Sequence, residues 1–90
     1  MANEGAGPSL DWEQVRIFLA VVRERSLARA AERLRLDVST VSRRLDRLET
    51  DLGGRLFDRT RDGTTATELG EQMLPHAEEM ELAAVRFAAA

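Results

Sequence analysis

Ninety residues with no cysteine make one small domain, and they exclude a disulfide framework and any thiolate metal site. The formal charge is −3, from thirteen Arg and sixteen acids, with one His and no Tyr. So little of the usual catalytic repertoire is present that an enzyme is set aside, and neither a catalytic residue nor a cofactor or metal is expected. No stretch is long enough to span a membrane, and the opening MANEGAGPSL has neither the basic region nor the apolar run of a signal peptide, so a cytoplasmic location is expected.

The charge is unevenly divided. Residues 16–61 hold twelve of the thirteen arginines against seven acids, a local surplus of +5, whereas residues 1–15 carry −3 and residues 62–90 carry −5. Exposed charges more than about 10 Å apart are largely screened at 0.1 M salt, so the basic middle of the chain, rather than its net charge, governs attraction to a polyanion.

In chain order, residues 1–10, with Gly5, Gly7 and Pro8, read as a disordered leader. Ser9 or Asp11 can cap a first helix whose stripe of Trp12, Val15, Phe18, Leu19 and Val22 closes the back of the core and ends near Arg23 to Arg25. Trp12 could stack on a base, but an aromatic on a helical stripe is more often core. Ser26 caps a second helix, with Leu27, Ala30, Ala31 and Leu34 at i, i+3, i+4 and i+7; its first-turn N–H groups would be open to a phosphate, and its alanines suit a close helix crossing. Only Arg35, Leu36 and Asp37 precede a third helix, 38–52, on which Val38, Val41, Leu45, Leu48 and Leu52 repeat the same period. Asp37 is placed to cap it, and Gly53 and Gly54 stop it.

Two helices joined by about three residues are either a helical hairpin or a helix-turn-helix. At roughly 100° per residue, Ser39, Arg43, Asp46, Arg47 and Thr50 point away from the apolar set, with Thr40 and Arg44 flanking them. Hydroxyls near a helix start and arginines one turn on suit a major groove, where an Arg fork pairs with guanine O6 and N7. The alternative is a solvated face laced with Arg and Glu pairs.

The segment RLFDRTRDGTTAT follows, with the tight-turn pair Asp62-Gly63 between Arg59, Arg61 and a run of threonines. It reads as a short β-hairpin, or wing, over 57–66 with Arg59 to Thr65 near its tip, or else as an irregular loop. Thr67 then caps a final helix from about Glu68, whose stripe of Leu69, Met73, Ala77, Met80, Ala84 and Phe87 is longer than so small a core can cover. Self-pairing about a two-fold axis is the simplest cover. Pro75 should bend this helix or weaken one of its hydrogen bonds, and His76 has a structural or solvent-facing role.

With those residues placed, FLAVVRERSLARAAERLRL, TVSRRLDRLETDLG, RLFDRT and TELGEQMLPHAEEME, in that order and spacing, resemble the N-terminal DNA-binding domain of LysR-type bacterial transcriptional regulators over about Leu10 to Ala84. The resemblance implies a mainly α fold: a winged helix-turn-helix over 11–66 and a long linker helix over 67–90 that makes a homodimer, with the family's effector-binding domain absent from this chain. It implies that Ser26 and Leu27 approach phosphates, that Val38, Ser39, Thr40, Ser42, Arg43 and Arg47 read bases, and that Arg59, Arg61, Thr64 and Thr65 form the wing's contacts. The implied partner is double-stranded DNA carrying an interrupted palindromic operator. Asp37-Val38-Ser39 departs from the family's usual Ser-Gln-Pro, leaving Val38 to pack inward or to meet a thymine methyl. Gly54 and Ala66 replace larger apolar residues and imply a more mobile wing. The rival from another class is a protein-protein module whose working element is the final helix.

Overall fold

The computed structural model describes residues 10–90. The expected leader therefore lies outside the described residues except for Leu10, which is exposed. Four helices and one hairpin follow in the order α1 (Trp12–Glu24), α2 (Leu27–Leu34), α3 (Val38–Leu52), β1 (Phe57–Thr60), β2 (Gly63–Ala66) and α4 (Glu68–Ala89).

Helix α1 is central rather than a back plate. Ile17 and Val21, outside the expected stripe, are fully buried beside the buried Val15, Phe18 and Leu19, and the helix meets α2, α3, α4 and β2. A helix packed on several sides buries more than one stripe, which a single-face reading understates. Asp11 caps it reciprocally with Gln14: each side chain bonds the other's backbone N–H, at 2.9 and 3.2 Å. Trp12 and Val22 pack at the edge of the core, so Trp12 is a core residue.

Ser26 Oγ accepts from the Arg29 N–H at 3.1 Å and starts α2. Ala30 and Ala31, both buried, let α2 lie close against its neighbours. Asp37 holds the extended backbone of an N-cap before α3, but its side chain makes no capping hydrogen bond. The exposed carboxylate acts on the helix only by charge, at the positive end of its dipole. Gly53, at φ 80°, ends α3 in the left-handed region.

The hairpin pairs Phe57 with Ala66 and Thr60 with Gly63, so Arg61 and Asp62 are its two-residue loop and Gly63 opens β2. The turn thus sits one residue earlier than Asp62-Gly63 suggests. Gly63 adopts φ 134°, where a Cβ would lie 3.3 Å from the Arg25 carbonyl oxygen, and Thr64 N–H donates to that same carbonyl at 3.2 Å. Phe57 turns inward onto Phe18 with ring centroids 5.5 Å apart.

Thr67 fixes the start of α4 from both sides. Its Oγ1 donates to the Arg55 carbonyl at 2.6 Å and accepts from Gly70 N–H at 3.1 Å. Gly70 is required here, because a Cβ would lie 2.3 Å from the Leu56 carbonyl oxygen. The Leu69 side chain fills the space beside Gly54, where a Cβ would lie 2.8 Å from its Cδ2. That departure from the family pattern is therefore packed rather than empty. Helix α4 runs unbroken through Pro75, which lies on its exposed side. Among the described residues, no helix is long and apolar enough to cross a membrane.

Candidate nucleic-acid interface

Helix α3 is held by its inner face. Val41 and Leu45 are fully buried and Leu48 nearly so, which leaves Ser39, Arg43, Asp46, Arg47 and Thr50 exposed on the opposite side as the helical period dictates. Val38 is 46% exposed and points outward, which settles its direction if not its partner. Thr40 and Ser42 are half-buried at the margins. At the start of α2, Ser26 and Leu27 are half-buried too, with the Ser26 hydroxyl engaged in its cap.

The arginines differ in how they are held. Arg43 has no acidic partner among the described residues, only a long 3.5 Å contact with Thr40 Oγ1. Arg47 approaches Asp51 at 3.7 Å, and Arg44 turns back to Glu13 of α1 at 3.5 Å. From the wing, Arg59 reaches across to Asp46 of α3 at 3.2 Å, whereas Arg61 is exposed at the hairpin loop. Between α3 and the wing lies an open groove of about 540 Å³, lined in part by Asp46, Thr50, Arg55 and Arg59. Arg55 is thus a further cation beside the site that the sequence reading passed over.

Two wing threonines part company. Thr65 is exposed, but Thr64 is only 7% exposed. Alternation along a strand sends neighbouring side chains to opposite faces, and the inward one belongs to Thr64. Thr64 is thus a buried support inside the wing rather than the surface contact expected of it.

Glu49, which the sequence reading placed in no role, holds the wing to the helix. It is 9% exposed, and its Oε2 accepts from Leu56 N–H at 2.7 Å and Phe57 N–H at 3.3 Å. A buried carboxylate with two N–H donors is a charge-assisted clamp on the entry to β1. Only the three-dimensional course of the chain brings its partners, seven and eight residues on, into reach.

The stripe expected to form a dimer is partly used at home. Leu69 and Met73 pack against the core, and Ala77, at 6% exposure, is buried there and leaves little surface for a partner. Ala84 is half-buried, while Met80 and Phe87 are 40% and 86% exposed. Leu82 and Val85 add 49% and 58% on other sides of the helix end. The last firm tie from α4 to α1 is the two-bond pair of Arg23 with Glu81, at 2.8 and 2.7 Å. The hydrogen bond from Arg23 holds the Glu81 carboxyl below its ordinary range, and the same bond raises Arg23. His76 is exposed, 3.8 Å from Glu79.

The family model described as bacterial regulatory helix-turn-helix protein, lysR family, matches residues 12–71. The chain is 46% identical over 69 residues to the HTH-type transcriptional regulator HdfR of Yersinia enterocolitica, a match covering 77% of this chain and 24% of that protein. It therefore spans about a quarter of the length of the curated relatives it matches. Among solved structures it is similar to the CbnR_DBD–DNA complex, at 30% identity and a TM-score of 0.83 over 89% of this chain and 92% of that one. It is also similar to BenM_DBD in complex with catB site 1 DNA, at 26% identity and a TM-score of 0.84 over 89% and 90%. On the helix-turn-helix, the wing and these matches, the chain belongs to the lysR family of bacterial regulatory helix-turn-helix proteins.

Proposed function

We propose that this chain is the reader of a transcriptional regulator that binds double-stranded DNA sequence-specifically as a homodimer in the bacterial cytoplasm. Residues 11–66 form the reader and residues 67–90 the dimerising linker. Helix α3 enters the major groove by its first turns, and the wing lies on the backbone or minor groove. The observation that carries this reading is the exposed hydroxyl and arginine face of α3 beside an arginine-bearing hairpin, in a fold shared with LysR-family domains solved on DNA.

Arg43 is the first base reader and Arg47 the second, with Ser39, Thr40 and Ser42 beside them and Val38 turned toward a thymine methyl. Arg59, Arg61 and Thr65 hold the backbone or minor groove, and Ser26 and Leu27 approach phosphates at the start of α2. Met80, Ala84 and Phe87, joined by Leu82 and Val85, supply the surface for a second copy, with Leu69 and Met73 contributing their uncovered edges. Two-fold symmetry would then set two half-sites one helical turn or more apart and make the operator an interrupted palindrome.

Binding of the Arg43→Ala protein to a duplex selected by the wild type, and to a random duplex, tests the assignment. The expected loss is about 1 to 3 kcal/mol on the selected duplex, with relaxed sequence preference. Equal losses on both duplexes would remove Arg43 from the readout. A wild-type chain that binds no duplex even at low salt would favour the protein-protein module instead.

A further inference from the structure

Wing arginines that meet phosphates are expected to extend into solvent, but Arg59 leans back. Its Nη2 donates to Asp46 Oδ1 at 3.2 Å, and its side chain is 31% exposed, less than any other arginine in an ion pair among the described residues. Asp46 is the reverse: at 62% it is the most exposed acid paired with an arginine. It also stands three residues after Arg43 and one before Arg47, on the outward face of α3.

We propose that Asp46 is an affinity-setting residue that acts through Arg59, its carboxylate holding in the free protein the position on the guanidinium that a DNA phosphate takes in the complex. The inference rests on the DNA-binding reading above. Carboxylate and phosphate oxygens accept from a guanidinium in the same way, so a phosphate can bind Arg59 fully only by displacing Asp46. Once displaced, the carboxylate faces the polyanion unpaired. Both effects oppose binding on every sequence alike, because one is competition with a phosphate and the other repulsion by the phosphates, and neither reads a base edge.

The pair is not what attaches the wing. Glu49 bonds the backbone of Leu56 and Phe57, Thr64 N–H bonds the Arg25 carbonyl, and Thr67 bonds the backbone of Arg55 and Leu56. Losing the Asp46 charge leaves all of these intact, so a change in binding would not come from a loosened hairpin. Arg43 and Arg61 have no acidic partner among the described residues and carry no comparable mask.

The test is a salt titration of binding to one mixed-sequence duplex by four full chains: wild type, Asp46→Asn, Arg59→Ala and the double variant. Asp46→Asn is expected to bind roughly two- to fivefold tighter, the range spanned by an exposed ion pair. Its log-log salt dependence should steepen by up to about 0.9, the increment of one phosphate contact. In the Arg59→Ala background the same substitution should give a clearly smaller gain, only the part that comes from removing a carboxylate facing the polyanion, and no steepening of the salt dependence. A gain of equal size without Arg59, or no gain or a loss with it, would overturn the proposal. Failure of the wild type to bind at low salt would instead strike at the DNA-binding reading and is seen before any variant is compared.

Discussion

Helices α3 and α4 each present a face that the other described residues do not cover, and the two faces have opposite chemistry. On α3 the uncovered residues include Ser39, Arg43 and Arg47, while its apolar side is buried from Val41 to Leu48. On α4 the large apolar residues beyond Glu81, namely Leu82, Val85 and Phe87, are all exposed, the last at 86%. A cationic, hydroxyl-bearing face is stable in water and waits for a polyanion, whereas an apolar helix end is costly in water and calls for a protein surface. On the proposed function, the two helices divide binding between nucleic acid and a second copy.

The comparison can be broken hardest at the seat of α4. Gly70→Ala forces a methyl onto the Leu56 carbonyl, 2.3 Å from the position of its Cβ. It should lower unfolding free energy by about 3 kcal/mol, read as a depressed thermal melt. An unchanged melt would mean that α4 is not seated there.

Next comes the clamp between α3 and the wing. Glu49→Ala leaves the Leu56 and Phe57 N–H groups without their acceptor. It should cost about 2 kcal/mol in denaturant unfolding and weaken binding to all duplexes as the wing loosens. Glu49→Gln keeps an acceptor oxygen and should cost less.

The free end of α4 is probed with little risk to the fold. Because Val85 and Phe87 are 58% and 86% exposed, the pair Val85→Glu and Phe87→Glu should leave the melt of the monomer nearly unchanged. The same pair should shift the sedimenting mass from dimer to monomer at equal concentration. A wild type that sediments as a monomer at every concentration would remove the dimer.

The smallest effect belongs to the exposed Arg23–Glu81 pair. Hydrogen bonding by Arg23 depresses the Glu81 carboxyl, so the stability it contributes is present above the unfolded carboxylate range and is lost as pH falls through the lower folded value. Solvent screening keeps this below about 1 kcal/mol. Melts of wild type and Glu81→Gln should differ slightly at neutral pH and converge in acid.

Helical periodicity in the sequence carries α3 from Val38 to Leu52 and the turn signals carry the wing from 57 to 66, because both patterns are local. What it does not carry depends on neighbours far along the chain. Glu49 lies among charged residues and reads as solvated until β1 turns beneath it. Gly70 reads as an ordinary helical glycine until the Leu56 carbonyl meets it. Ile17 and Val21 fall off the single stripe because α1 is packed on several sides. Ala77 and Thr64 fit an exposed pattern but are covered by the chain itself. The arginine face of the candidate site is legible because exposure follows from the buried period. Pairing within that face, as between Arg59 and Asp46, is not.

Selection of bound duplexes from a random pool by the ninety-residue chain tests the central claim most directly. The account predicts enrichment of an interrupted palindrome with half-sites one helical turn or more apart, and loss of one consensus position with Arg43→Ala. A bound pool with no sequence enrichment would contradict it.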